Sequence, residues 1–170
     1  MQEDEFLVLD DIYDLDTATI TGHYVFAGYP RSKHKGAIKN GEAKAALYSF
    51  AVDTAPLADY QTANLDPNIS LLLRFEKQNM WGPQGQGNGI ASPTGISGGG
   101  VWLIGDAFAT TPIKPLLVAI ALEWWGKLRE KKPPKRVLAT KIPVVLSVIW
   151  DRFPELRPYL PKSPDKDRSG

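Results

Sequence analysis

Cysteine is absent from the chain, which removes disulfides, thiolate nucleophiles and cysteine-based zinc or iron–sulfur sites. Histidine occurs only twice, as His23 and His34. That pair has no ligand spacing, so neither a metal nor a cofactor is expected. A surplus of one charge is missing too: 20 basic residues against 19 acidic leave a net charge of +1. This balance calls for no nucleic acid and no anionic membrane as partner. Long apolar runs are also lacking. The longest, Leu116 to Leu122, falls far short of the roughly 20 residues of a membrane span. The amino terminus reads Met1-Gln-Glu-Asp-Glu, acidic where a secretory leader would be basic. A soluble, cytoplasmic protein is the resulting expectation.

What is present is punctuation. Among 170 residues there are 15 glycines and 14 prolines, which suits short strands and tight turns better than a helix bundle. A hydrophobic share of 43% is enough for the core of one domain. Tyr24-Val-Phe-Ala-Gly reads as a strand that stops at Tyr29-Pro30. Asn40-Gly41 suits a two-residue hairpin turn, with Ala43 to Val52 as a returning strand. Thr54 to Asn68 is polar and reads as a surface connection. Ile69 to Glu76, Val101 to Ile104, Leu116 to Leu122 and Val137 to Thr140 are further strand candidates.

One helix is expected near the end. Ile142, Val145, Leu146, Ile149, Trp150 and Phe153 form an apolar stripe at helical spacing, with Thr140 as the candidate cap. The stripe predicts a helix packed on the core. Residues 1–19 read as a lead-in, 20–155 as the folded unit and 156–170 as a disordered tail.

The informative segment is rich in glycine. Gly82 to Gly100 holds eight glycines in nineteen residues and ends in Pro93-Thr-Gly-Ile-Ser-Gly-Gly-Gly-Val-Trp102. Gly95-Ile96-Ser97-Gly98-Gly99 fits the bare pattern of a nucleophile elbow, but that motif needs a helix after the serine. Here three glycines and a β-type run follow. Glycine costs about 1 kcal/mol in a helix interior, so the elbow reading fails. A serine in a tight turn, with a glycine two positions before it, instead lets the N–H groups of Gly95 and Ser97 converge as an oxyanion hole would require.

The string resembles the Gly-x-Ser-Gly-Gly signature around the nucleophile of trypsin-like (chymotrypsin-fold) serine peptidases, and Gly100-Val101-Trp102 continues as that family does. The resemblance implies an all-β fold. It would be an antiparallel barrel, mainly the second barrel of such a peptidase, closed by a carboxy-terminal helix. It makes Ser97 the nucleophile and Gly95 an oxyanion-hole donor. Leu116 to Glu123 becomes the strand walling the substrate cleft, with Ala121, Leu122 and Glu123 as substrate-binding residues and Ala91 at the base of the primary pocket. No acidic residue lies between Met80 and Val101, so small or apolar substrate side chains are expected. Trp124 and Trp125 could line the pocket or pack in the core.

The family's chain order is His, Asp, Ser, and this chain departs from it. Neither His23 nor His34 is followed at a sensible spacing by a strand-borne aspartate. Asp4, heading Asp4-Glu5-Phe6-Leu7-Val8-Leu9, only faintly resembles the family's aspartate, and no residues precede it to supply the histidine. The implied protein is the nucleophile-bearing half of a serine endopeptidase, dependent on a first-barrel segment for His and Asp and acting on a peptide or protein. The alternatives are a non-catalytic peptide-binding homologue using β-augmentation, and an unrelated small barrel whose glycine loop binds a ligand or anion.

Overall fold

The computed structural model describes residues 12, 23–29, 38–39, 42–43, 48–77, 81–82, 85–86, 90, 92–104, 114–126 and 134–160. Six strands close into an antiparallel barrel in the order β1 (Tyr24–Gly28), β4 (Tyr48–Thr54), β5 (Ser70–Arg74), β10 (Arg136–Lys141), β9 (Leu116–Trp125) and β8 (Gly100–Leu103), with β8 returning to β1. Two small hairpins lie outside it. They pair β2 (Ile38–Lys39) with β3 (Glu42–Ala43), and β6 (Trp81–Gly82) with β7 (Gly85–Gln86). The first has the register expected around Asn40-Gly41, whose own positions lie outside the described residues.

Alternation along the strands builds the barrel interior. Phe50 and Val52 point inward while Ser49, Ala51 and Asp53 face solvent, the period-2 pattern of a half-buried strand. Phe26, Leu71, Leu73, Val101, Leu103, Val137 and Ala139 belong to the same inner cluster. Each large aliphatic side chain buried there contributes about 1.5–3 kcal/mol. Strand β5 is buried on both faces. Leu72, between two inward leucines, points outward and is covered with Ala55, Tyr60 and Trp125.

That outer cluster lies under α1 (Leu57–Ala63), a helix inside the segment expected to be a surface connection. Seven residues after Pro56 are too few to show a helical period. The helix is held by tertiary contacts instead. Arg136 Nε donates to Asp59 Oδ2 at 2.6 Å, and Leu72 N–H donates to Tyr60 Oη at 2.7 Å.

The terminal helix α2 spans Ile142–Arg152, as the stripe predicted, followed by a 3-10 turn at Pro154–Tyr159. Two details differ. Lys141, not Thr140, is the N-cap and gives no side-chain cap bond, because Thr140 stays in the ladder opposite Ile120 and Ser70. Ile142 is the buried residue of the helix, and Val145, Leu146, Ile149 and Trp150 of the stripe are half-buried. The 3-10 turn occupies the start of the expected tail, whose residues from 161 onward lie outside the described residues. No helix among the described residues is long and apolar enough to cross a membrane. Of the lead-in, Ile12 alone is described, bridged in parallel to Leu117.

Candidate functional site

Ser97 sits in two consecutive tight turns. In the first, Ile96 N–H donates to Pro93 C=O at 3.1 Å with Gly95 at φ 80°; in the second, Gly99 N–H donates to Ile96 C=O at 2.9 Å with Gly98 at φ 87°. A positive φ at the third residue defines a type II turn and selects glycine there. Ser97 thereby becomes the second residue of its turn and is exposed. Buried Pro93 and Ile96 pin the loop from below. Ser92 Oγ lies 2.8 Å from Thr94 Oγ1 at the start of the first turn.

The loop is docked on both neighbouring strands. Gly98 N–H donates to Ala121 C=O at 2.8 Å, and Ala121 N–H donates to Gly99 C=O at 2.9 Å, so the β8–β9 ladder continues through the turn. On the other side the packing admits no side chain. A Cβ on Gly99 would lie 2.4 Å from the carbonyl oxygen of Ala27, and one on Gly28 would lie 2.5 Å from Ile96 Cγ1.

These bonds use the N–H groups of Ile96, Gly98 and Gly99. Among the described residues, the N–H groups of Gly95 and Ser97 have no backbone acceptor. Two such donors flanking an exposed hydroxyl can receive an anionic oxygen.

Strand β9 carries the other sequence candidates, and a bulge decides where each goes. Ala121 pairs with Ala139, but the next pair along is Glu123 with Leu138, so Leu122 is an extra residue. Such a bulge shifts the side-chain phase by one. Ala119 and Ala121 face the barrel interior before it, and Trp124 does so after it. Glu123 is kept out of the core, and Trp125 joins the outer cluster. Ala121 is buried, and its backbone is committed to the loop. Leu122 is 49% exposed. Sequence reasoning placed these residues beside the serine but missed the bulge, since an unbroken apolar run shows no phase.

Trp124 closes one mouth of the barrel with other aromatic rings. Its ring meets Phe75 edge-on at 5.0 Å, Phe75 meets Phe50 at 5.1 Å, and Tyr48 stacks on Phe50 at 6.3 Å. Ile90 packs on the same cluster. The two tryptophans therefore separate, one into the inner core and one into the outer.

His23 lies elsewhere. Its C=O accepts from Ile104 N–H at 3.0 Å, at the end of the β1–β8 pair opposite the Gly99 contact with Ala27. The four residue steps from His23 to Ala27, at ~3.3 Å each, put about 13 Å between them. His34, Asp4 and Ala91 lie outside the described residues. Among the described residues no cluster of His, Asp or Glu could hold a metal ion. No protein-family model and no curated protein matches the chain.

Proposed function

We propose that this chain is the serine-bearing barrel of a peptide hydrolase resembling the trypsin-like serine peptidases. The observation that supports it is the Ser97 turn. An exposed serine lies between two positive-φ glycines, Gly95 and Gly98, and among the described residues the N–H groups of Gly95 and Ser97 have no backbone acceptor while those of Ile96, Gly98 and Gly99 are hydrogen-bonded. In the reaction, Ser97 Oγ attacks the scissile carbonyl and loses its proton to an imidazole. The two N–H groups take the resulting oxyanion, and the leaving amine takes the proton from the imidazole as the acyl-enzyme forms. Water then hydrolyses the ester.

His23 is too far away to be that imidazole. The base and its carboxylate come from outside the described residues, in this reading from a first-barrel segment. In serine peptidases that lose a triad member, the oxyanion hole and substrate binding together retain roughly 10³–10⁴-fold catalysis over water. Leu122, exposed at the bulge beside the loop, would meet substrate side chains.

A fluorophosphonate probe tests the reading. Labelling at Ser97 that is lost in Ser97→Ala is the expected result; a folded chain that stays unlabelled overturns the catalytic reading.

A further inference from the structure

Ile96 separates the two donors in sequence and is held at three points. Its N–H closes the first turn on Pro93 C=O at 3.1 Å, and its C=O closes the second by accepting from Gly99 N–H at 2.9 Å. Its side chain is 4% exposed and belongs to the inner core cluster, while Gly95 and Ser97 on either side are exposed. The Ser97 N–H shares a planar peptide unit with the Ile96 C=O. The bond from Gly99 therefore also fixes which way that donor points.

The side chain has a seat made for it. Gly28 is the last residue of β1, and a Cβ there would stand 2.5 Å from Ile96 Cγ1 and 3.2 Å from Cδ1. Gly28 lacks the positive φ of Gly95 and Gly98, so its backbone does not require glycine. A strand glycine of ordinary conformation marks a close approach, and what approaches here is a single side chain. The end of β1 is a socket that fits Ile96 only while position 28 carries no Cβ.

We propose that Ile96 is the positioning residue of the Ser97 site. Seated against Gly28, its side chain sets the Gly95 and Ser97 N–H groups together. The donor pair is thus assembled by apolar packing within this barrel, and a segment from outside supplies proton transfer but not the oxyanion hole. This role rests on Ser97 being the nucleophile.

Fluorophosphonate labelling of Ser97 is measured per folded molecule over a range of probe concentrations, alongside the amide resonances of Gly95 and Ser97. Ile96→Ala empties the socket, and Gly28→Ala drives Ile96 out of it. Either should shift both resonances and lower the maximal labelling rate about tenfold or more with the half-saturating concentration unchanged, since a misplacement of about 1 Å can cost about 100-fold. Ile96→Val keeps the branched Cβ and should lose less than Ile96→Ala. In the double variant Gly28→Ala/Ile96→Ala the new Cβ occupies the space of Cγ1, so labelling should exceed that of either single variant and the resonances should return towards the wild type. Leu72→Ala truncates the separate outer cluster and should leave both readouts unchanged.

Unaltered rates and resonances in folded Ile96→Ala and Gly28→Ala overturn the role. So does a double variant slower than both singles, or a slowing in Leu72→Ala as large as that in Ile96→Ala. If Ile96→Ala does not fold, Gly28→Ala against Leu72→Ala decides in the same way. A folded wild type that stays unlabelled overturns the catalytic reading instead, and the Gly95 and Ser97 resonances then decide alone whether Ile96 sets the donors.

Discussion

Replacing Tyr60 by phenylalanine tests how the barrel is sealed. Strands β4 and β5 share only two residue pairs, Asp53 with Arg74 and Thr54 with Leu73. Beyond them no described strand lies beside β5 on the β4 side, and Leu72 would expose its backbone there. Instead Ala55 N–H donates to Leu72 C=O at 2.7 Å, and Leu72 N–H donates to Tyr60 Oη at 2.7 Å. Helix α1 thus patches the seam. Tyr60→Phe keeps the ring in the outer cluster, so no cavity opens, but leaves the N–H of fully buried Leu72 without its acceptor. An unsatisfied buried donor costs about 1–3 kcal/mol. With a urea m-value of about 2 kcal/mol per M, a loss of about 2 kcal/mol lowers the midpoint by about 1 M with the slope unchanged. The Leu72 amide should also exchange faster in the variant. A loss below about 0.5 kcal/mol, with Leu72 exchange unchanged, would refute the claim that this hydroxyl completes the barrel.

The same phenol gives a pH dependence. Burial raises the Tyr60 pKa against the smaller lowering by its bond from Leu72, so the unfolded chain ionises first. Stability is therefore intact at neutral pH and falls as pH rises above about 10, the ordinary tyrosine value. Unfolding titrations should show that loss in the wild type and a smaller one in Tyr60→Phe; identical alkaline limbs would contradict it. The two glycines after Ser97 should also differ. Gly99→Ala drives a Cβ to 2.4 Å from the Ala27 carbonyl oxygen and 2.9 Å from that of Ile96, neither of which can step aside, and should cost more than about 2 kcal/mol. Gly98→Ala meets open space but keeps φ 87°, a strain of about 1–2 kcal/mol. Thermal melts that rank the two the other way would show that the loop does not sit against β1 as described.

The barrel strands were legible because most carry their own signal. Tyr48–Thr54 alternates, and Ser70–Arg74 is an apolar run too short for a helix. The Ser97 turns were legible because type II geometry admits little but glycine at the positions of Gly95 and Gly98. What stayed hidden depends on distant partners. Helix α1 is defined by Leu72 and Arg136 reaching Tyr60 and Asp59, contacts that no local pattern records. The bulge at Leu122 exists only relative to β10. The cap moved from Thr140 to Lys141 because two neighbouring strands hold Thr140 extended.

The closure of the barrel has a consequence for when the Ser97 turn can exist. Strand β8 joins its sequence neighbour β9, but the ring is completed only when it meets β1, Val101 beside Phe26 and Gly100 beside Ala27. Contacts so distant along the chain carry the largest loop-closure entropy and form slowly. The floor of the turn is made of that contact, since Gly99 lies against Ala27 and Ile96 against Gly28. A chain whose first and later strands have not yet met has the glycines in sequence but nothing to press them into shape. The serine's surroundings thus depend on a long-range contact, and assembly of the site reports completion of the barrel.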